Sequence, residues 1–355
     1  MRAVRITAFG APPEVVDLPD PTPPVGGVVV RVEATGLCAS DRFAWAGHDG
    51  DVTLPHVPGH ELVGHVVATG AGVTRFRAGD RVTTPFVCGC GACPDCRAGR
   101  AQVCPHQQQP GFTHDGSFAE LVALHHADHN LVPVPDDADA AGAALLGCRV
   151  ATAHRALVGR GGLTSGERVL VLGAGGVGLA AVLIASALGA EAVVADPSPA
   201  ARARAVELGA VAAVDTADGP DAVRGAVGDG GARLAVEAAG RADALDLGVR
   251  SLRRQGTLVQ VGLLAREPVV PVPLMIAHEL TVTGSHGMAA ADYPELMALV
   301  ADGRLDPGRL VTRRTGLDAL AGALAAAPEP GGILVGLPRD PAADRSALPV
   351  QPVPG

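Results

Sequence analysis

Apolar positions in the first 135 residues come in short runs cut by turns. Ala3–Ile6 and Val28–Val32 are such runs, separated by Pro12-Pro13 and by prolines between Pro19 and Pro24. Short alternating runs between Gly and Pro turns predict strands of an antiparallel β unit, and no long helical period interrupts them before about Pro135. The Ala-rich stretch Asp136–Leu146 then reads as the start of a helix. From Arg168 the texture changes. Arg168–Leu172 reads as an apolar strand, followed by a Gly turn and an Ala/Leu helix to Gly189. Strands follow at Ala192–Ala195, Ala212–Val214, Leu234–Glu237 and Thr257–Val261. Helices at Pro199–Leu208 (stopped by Gly209), Asp221–Val227 and Arg241–Leu252 alternate with them. Leu280–Thr283 predicts a further strand, Tyr293–Ala301 a helix and Ile333–Leu337 a last strand. Strand–helix alternation predicts a parallel sheet with crossover helices. The tail Pro338–Gly355 holds five prolines and little apolar pattern, so loose order is expected there.

The expected architecture is α/β, with a β-rich unit in two pieces, residues 1–150 and 288–355, around a doubly wound parallel-sheet unit, 151–287. A chain of 355 residues fits two such units, and the cleft between them is a natural ligand site. The longest apolar run, near Val169–Ala187, is broken by glycines, so no membrane span is expected. Met1-Arg2-Ala3 does not lead into a signal-peptide core, and a cytoplasmic protein is expected. The net charge is −9 without a basic stripe, which makes nucleic acid and anionic membranes poor partners. All 28 basic residues are Arg; the absence of Lys removes Schiff-base chemistry, a Lys base and a P-loop lysine.

Seven cysteines remain to be placed, five of them between Cys88 and Cys104. Cys90-x2-Cys93-x2-Cys96-x7-Cys104 has the spacing of a closed four-thiolate site. Such a site leaves no open coordination position and would be structural zinc, with an iron–sulfur cluster as the rival. Cys88 reads as a small buried or loop residue. Gly173-x-Gly175-Gly176-Val177-Gly178 follows a strand and opens a helix, and Asp196 ends the next strand. That is the dinucleotide fingerprint: glycines admit a pyrophosphate to a helix N-terminus, and the carboxylate accepts from ribose hydroxyls. Asp196 would repel a 2′-phosphate, which favours NAD(H) over NADP(H), although Arg202 and Arg204 lie close by in sequence and blunt the preference.

Pro58-Gly59-His60-Glu61, with Gly64, Gly70 and Gly72 behind it, sets an imidazole beside a carboxylate. Cys38 and Cys148 supply two thiols from distant segments. Two thiolates and an imidazole make a three-ligand catalytic zinc set, although spacing alone leaves buried structural Cys as the alternative. Ser40-Asp41 follows Cys38; an Asp there can hold the second ring nitrogen of His60 and a Ser can relay a proton, or both can simply cap a turn.

With these residues in view, the chain resembles the zinc-dependent medium-chain alcohol dehydrogenases over nearly its whole length, to about Pro338. Gly36-Leu37-Cys38-Ala39-Ser40-Asp41 is similar to the family's first-ligand segment, Gly59-His60-Glu61-x2-Gly64-x5-Gly70-x2-Val73 to its zinc signature, Cys90 to Cys104 to its structural-zinc lobe, and Leu146-Gly147-Cys148-Arg149 through Thr152 to its third-ligand segment. Glu237-Ala238-Ala239-Gly240 and Gly256 through Gly262 sit where its later Rossmann strands lie. The resemblance implies a GroES-like β-rich catalytic domain with a Rossmann domain, two zincs per chain, and a homodimer or homotetramer. It implies hydride transfer between an alcohol carbon and NAD(H). Carried over, Cys38, His60 and Cys148 hold the catalytic zinc, Glu61 is a near neighbour able to ligate transiently, Ser40 takes the alcohol proton, Asp41 supports His60 and Thr152 contacts the nicotinamide.

One position departs from the pattern. Many members carry a His two residues after the Asp, where this chain has Phe43, and Phe carries no proton. His48 is the nearest substitute in sequence. Phe43, Trp45, His48, Phe86 and His114 are the expected pocket wall. The leading expectation is an NAD-dependent zinc alcohol dehydrogenase or carbonyl reductase. A redox-neutral enzyme with bound NAD and a cofactor-binding protein without turnover are the alternatives.

Overall fold

The structure is a computed structural model; it describes residues 1–228 and 230–338. Its strands are β1 (Arg2–Arg5), β2 (Glu14–Asp17), β3 (Val28–Gly36), β4 (Glu61–Thr69), β5 (Arg81–Thr83), β6 (Leu121–Leu124), β7 (Val132–Pro133), β8 (Arg168–Leu172), β9 (Glu191–Ala195), β10 (Ala212–Val214), β11 (Ala232–Glu237), β12 (Leu252–Gln260), β13 (Thr281–Gly284), β14 (Arg313–Thr315) and β15 (Leu334–Gly336).

Three sheets result. β1 and β2 pair antiparallel as a two-stranded ribbon. β8 to β13 form a six-stranded parallel sheet in the order β10-β9-β8-β11-β12-β13. The strand order reverses beside β8, and in such a sheet the crevice at the carboxyl ends of the reversing strands receives the ligand. β8 buries four of its five residues, as a strand covered by helices on both faces must. The helix Gly176–Ala187 is buried throughout from Gly178 to Ala185, because its all-apolar surface packs against the sheet on one side and the helix Arg149–His154 on the other.

The third sheet has the order β14-β15-β3-β4-β5-β7, with β6 also on β3. Its strands come from residues 28–133 and from residues 313–336, on either side of the parallel sheet in sequence. β15 pairs antiparallel with the end of β3 (Val335 opposite Gly36), and the Leu37 amide donates to the Leu334 carbonyl at 3.0 Å. Beside it β14 and β15 run parallel. The Tyr293 hydroxyl, fully buried, donates to the Leu146 carbonyl at 3.0 Å and ties the helix Tyr293–Ala301 to the turn before Cys148.

The expected strands and helices of the parallel-sheet unit appear, with ends moved by up to five residues. Asp136–Leu146 is corrected: the helix spans Ala140–Ala144 only. Asp139 caps it by accepting from the Gly142 amide, so Asp136–Ala138 stay outside. The helices Ala39–Trp45, Val272–His278 and Leu317–Ala325 were not foreseen. Apart from Pro338, the tail expected to be loosely ordered lies outside the described residues, as does the end of the second β-rich piece. Among the described residues no helix is long and apolar enough to cross a membrane.

Candidate active site

Cys38 sits where β3 ends and caps the helix Ala39–Trp45. Its amide donates to Asp41 Oδ2 at 2.8 Å, while Asp41 Oδ1 lies 2.9 Å from His60 Nδ1. One buried carboxylate therefore closes a helix end and orients a ring. With Nδ1 donating to Asp41, Nε2 of His60 is left as an acceptor. His60 precedes β4, and Gly59 before it has φ +104°; a Cβ there would meet Phe118 Cδ1 at 2.4 Å, so this turn requires glycine. Cys148 lies between the turn Leu145–Gly147 and the helix Arg149–His154.

The ligand atoms of Cys38, His60, Glu61 and Cys148 all lie within 4.8 Å of one another. Ser40 Oγ is 3.2 Å from Cys38 Sγ and 3.3 Å from His60 Nε2. The hydrogen bond with Cys148, then contacts with His60 and the charge of Arg149, hold the Cys38 thiol well below its ordinary range, although burial acts the other way. The same bond to Cys38, together with burial, pushes Cys148 well up. Burial opposes a charged His60, but Asp41 and Cys38 outweigh it and raise the imidazole. Glu61 is pushed up by burial and pulled back by Arg149, which grips it with Nε at 2.8 and 3.0 Å. A group of two sulfurs and an imidazole nitrogen, half-buried at Cys38 and buried at His60 and Cys148, at mutual distances that one ion can span, fits zinc.

Cys90, Cys93, Cys96 and Cys104 form a second group within 4.8 Å. Backbone amides point at its sulfurs: Ala92 and Cys93 at Cys90 Sγ (3.5 and 3.4 Å), Cys96 at Cys93 Sγ (3.4 Å), Cys90 and His106 at Cys104 Sγ (3.4 and 3.3 Å). The amides of Ala92 and Cys93 lower the Cys90 thiol to about 6, and burial pushes Cys96 up to about 12. Amides aimed at sulfur suit thiolates, and four of them close a tetrahedral site. Among the described residues, only Ala101 and Ala289 join the cysteines in their apolar cluster. Cys88 stands apart, buried against Thr84 Oγ1 at 3.3 Å; burial pushes its thiol up to about 11.

The glycine loop leaves β8 with Gly173 at φ +92°. A Cβ on Gly178 would lie 1.8 Å from the Gly173 carbonyl oxygen, so the turn and the helix close on each other only with glycine there. Gly175 has open space on its Cβ side, at the start of the helix Gly176–Ala187, which also carries Val177. Asp196 follows β9; Oδ2 accepts from the Ala174 amide at 2.7 Å and Oδ1 from Ser198 at 2.8 Å. Arg202 Nη1 donates to the Asp196 carbonyl at 2.6 Å and to Asp215 Oδ2 at 2.9 Å. Arg204 turns to Glu207 and the Arg309 carbonyl. Thr152, one turn past Cys148, is 5% exposed, and its buried hydroxyl has no partner among the described residues.

The expected pocket wall is corrected at Trp45 and His114. Phe86 does face His60, edge-on at 5.9 Å, and His286 at 5.2 Å. Trp45, one helical turn past Asp41, donates its indole N–H to the Ala11 carbonyl at 2.7 Å and packs into the cluster of Ala3, Val4 and Ile6. His114 lies beyond the tight crossing of Gly59, Gly111 and Gly116, against His125 at 4.9 Å. Phe43 packs on the exposed His48 ring at 5.1 Å. Sequence reading missed Phe112, whose ring lies 5.0 Å from His60, and gave Arg149 no role. Neither carries a local signal, since both depend on which segments cross.

A family model described as Alcohol dehydrogenase GroES-like domain matches residues 24–136, and one described as Zinc-binding dehydrogenase matches residues 176–302. An alcohol dehydrogenase of Rhizobium meliloti is 36% identical over 310 residues, covering 86% of this chain and 89% of that protein. The crystal structure of an NAD-dependent alcohol dehydrogenase superposes with a TM-score of 0.86 at 32% identity, covering 95% of this chain and 99% of that one. A zinc-binding dehydrogenase of Sinorhizobium meliloti 1021, bound to NADP, superposes with a TM-score of 0.85 at 30% identity, with the same coverage. The fold, the two matched domains and these relatives place the chain in the zinc-dependent alcohol dehydrogenase family of medium-chain dehydrogenases/reductases, enzymes that interconvert alcohols and carbonyl compounds with a nicotinamide cofactor.

Proposed function

We propose that this chain oxidises an alcohol, or reduces its aldehyde or ketone, with NAD(H), one catalytic zinc and one structural zinc. The observation that carries this reading is the convergence of Cys38, His60, Glu61 and Cys148 within 4.8 Å, from three distant segments. Residues 1–150 and 288–355 are then the catalytic unit and 151–287 the dinucleotide unit. When bound, zinc supplies a Lewis acid for the substrate oxygen, and the nicotinamide exchanges a hydride with the neighbouring carbon.

The chain's own residues do the rest. Cys38, His60 and Cys148 hold the catalytic metal, with Asp41 fixing the His60 tautomer. Cys90, Cys93, Cys96 and Cys104 hold the structural one. Ser40 Oγ, beside both Cys38 Sγ and His60 Nε2, takes the proton of the substrate hydroxyl. Phe43 carries it no further, so it leaves through water or through His48, whose ring packs on Phe43. The amides around Gly173, Gly175, Gly176, Val177 and Gly178 receive the pyrophosphate. The unpartnered hydroxyl of Thr152 supports a contact with the nicotinamide. The Asp196 carboxylate supports ribose hydroxyls over a 2′-phosphate, and Arg202 is already paired with Asp215, which leaves less positive charge for NADP(H). The chain acts as a homodimer or homotetramer. The outer edge of β13 has no strand partner among the described residues, and the exposed Leu263, Val269, Val272 and Ile276 lie in the segment that leads from β12 into it, which favours a second copy as its neighbour.

Metal analysis of wild type and Cys148→Ser, with a screen of alcohols and aldehydes by NADH absorbance and NADP⁺ in parallel, tests the reading. Two zincs per wild-type chain are expected. The variant should keep its fold and one zinc and lose turnover. Wild-type activity in Cys148→Ser would sink the assignment, and net NADH formation from an alcohol excludes the redox-neutral alternative.

A further inference from the structure

Arg149 is 2% exposed and adjoins Cys148. Its hydrogen bonds all go to groups that adjoin a metal-ligand candidate. Nε donates to Glu61 Oε1 at 2.8 Å and Oε2 at 3.0 Å, and Nη2 donates to Glu61 Oε2 and, at 2.9 Å, to the Leu37 carbonyl. The Arg149 amide adds a bond to Glu61 Oε1 at 3.1 Å. Glu61 follows His60, and Leu37 precedes Cys38. One side chain thus joins the end of β3, the start of β4 and the start of the helix Arg149–His154. The remaining nitrogen, Nη1, makes no hydrogen bond among the described residues. It lies under Gly176, the first residue of the dinucleotide helix: a Cβ there would stand 2.8 Å from Nη1 and 3.3 Å from Cζ.

We infer that Arg149 is a positioning residue that couples the dinucleotide loop to the catalytic metal cluster. The inference rests on the function proposed above. Its physical basis is rigidity. An exposed guanidinium would swing away from an approaching Gly176, but this one is pinned at Nε and Nη2 to Glu61 and Leu37. Breaking the bonds to Glu61 leaves a buried charge unpaired, and breaking the bond to Leu37 takes a donor from a buried carbonyl. The loop therefore cannot settle toward Arg149 without moving the segments that carry Cys38 and His60. Coupling of this kind is reciprocal, so the metal must alter dinucleotide affinity by the factor with which the dinucleotide alters metal affinity.

The experiment uses the full chain and reads binding. Catalytic-metal affinity is measured without dinucleotide, by chelator competition and by the absorption of Co²⁺ placed in that site; the four-cysteine metal serves as the control that the fold is intact. Gly176→Ala touches no metal ligand, yet it should weaken the catalytic metal about tenfold, the range seen when an outer support of a ligand is disturbed, and leave the four-cysteine metal in place. Arg149→Lys keeps the charge but cannot span Glu61 and Leu37, and should weaken it similarly; it carries the test if Arg149→Ala does not fold. Adding Gly176→Ala to Arg149→Ala should cost nothing further, because the clash is gone. NADH affinity, read by fluorescence, should depend on the catalytic metal in wild type and not in the Arg149 variants. Wild-type metal affinity in Gly176→Ala, or a wild type that binds NADH equally with and without the catalytic metal, overturns the coupling. A wild type that binds neither metal nor NADH overturns the functional reading itself.

Discussion

Asp41 shows how much one side chain does in this site. It is buried, caps the helix Ala39–Trp45 through the Cys38 amide and orients His60 with its other oxygen. Ser40 beside it has a narrower role, because among the described residues its hydroxyl reaches only Cys38 Sγ and His60 Nε2. Ser40→Ala should therefore leave both metals bound and lower kcat by about 10²–10⁴, the usual worth of a positioned proton acceptor. A variant with wild-type kcat would remove Ser40 from the reaction. At this scale the sequence was legible where chemistry is rare. Two lone cysteines and a His-Glu pair had few other uses in so short a list, and they meet in space. The aromatic wall was not legible, because residue type does not give side-chain direction. Trp45 lies a single turn past Asp41 yet points into the β1 cluster, while Phe112 arrives from a segment with no motif at all.

Among the elements, those with strong periodicity were found within a few residues. Short ones were not: the helices Ala39–Trp45 and Leu317–Ala325 have seven and nine residues and little room for a period to show. The start of the helix at Ala140 was decided by a cap, Asp139, rather than by composition. The cysteine lobe is the element with least packing of its own. Its chain makes a four-residue helix and a three-residue turn, and Asn130 fastens it at one end by pairing with both the amide and the carbonyl of Gly89 at 2.9 Å. With the metal proposed above, its order comes from the ion that its thiols would close on. Cys93→Ser should remove one metal per chain, keep the catalytic one and lower the melting temperature by several degrees. An unchanged melting curve would mean that the lobe stands without its metal.

The molecule as a whole has two large sheets beside the β1–β2 ribbon, with the site at the junction of the large ones, and of the open sheet edges the one at β13 follows the exposed apolar segment in sequence. If a second copy covers that edge, a charge placed in the exposed apolar patch should keep it off. Ile276 is 74% exposed and touches neither sheet core, so Ile276→Glu should fold normally and sediment as a monomer. An oligomer of unchanged size would place the interface elsewhere. The order of the chain through the two sheets has a further result. The four lobe cysteines are complete once residue 104 has been made. The segment before Cys38 takes its last support from the Leu334 carbonyl, on a strand that follows the entire parallel sheet. During synthesis, then, the proposed structural-metal pocket is available early, while the proposed catalytic one is not fully braced until Leu334 has emerged. The proposed reactive centre is thus completed only after the parallel sheet that would face it has been made.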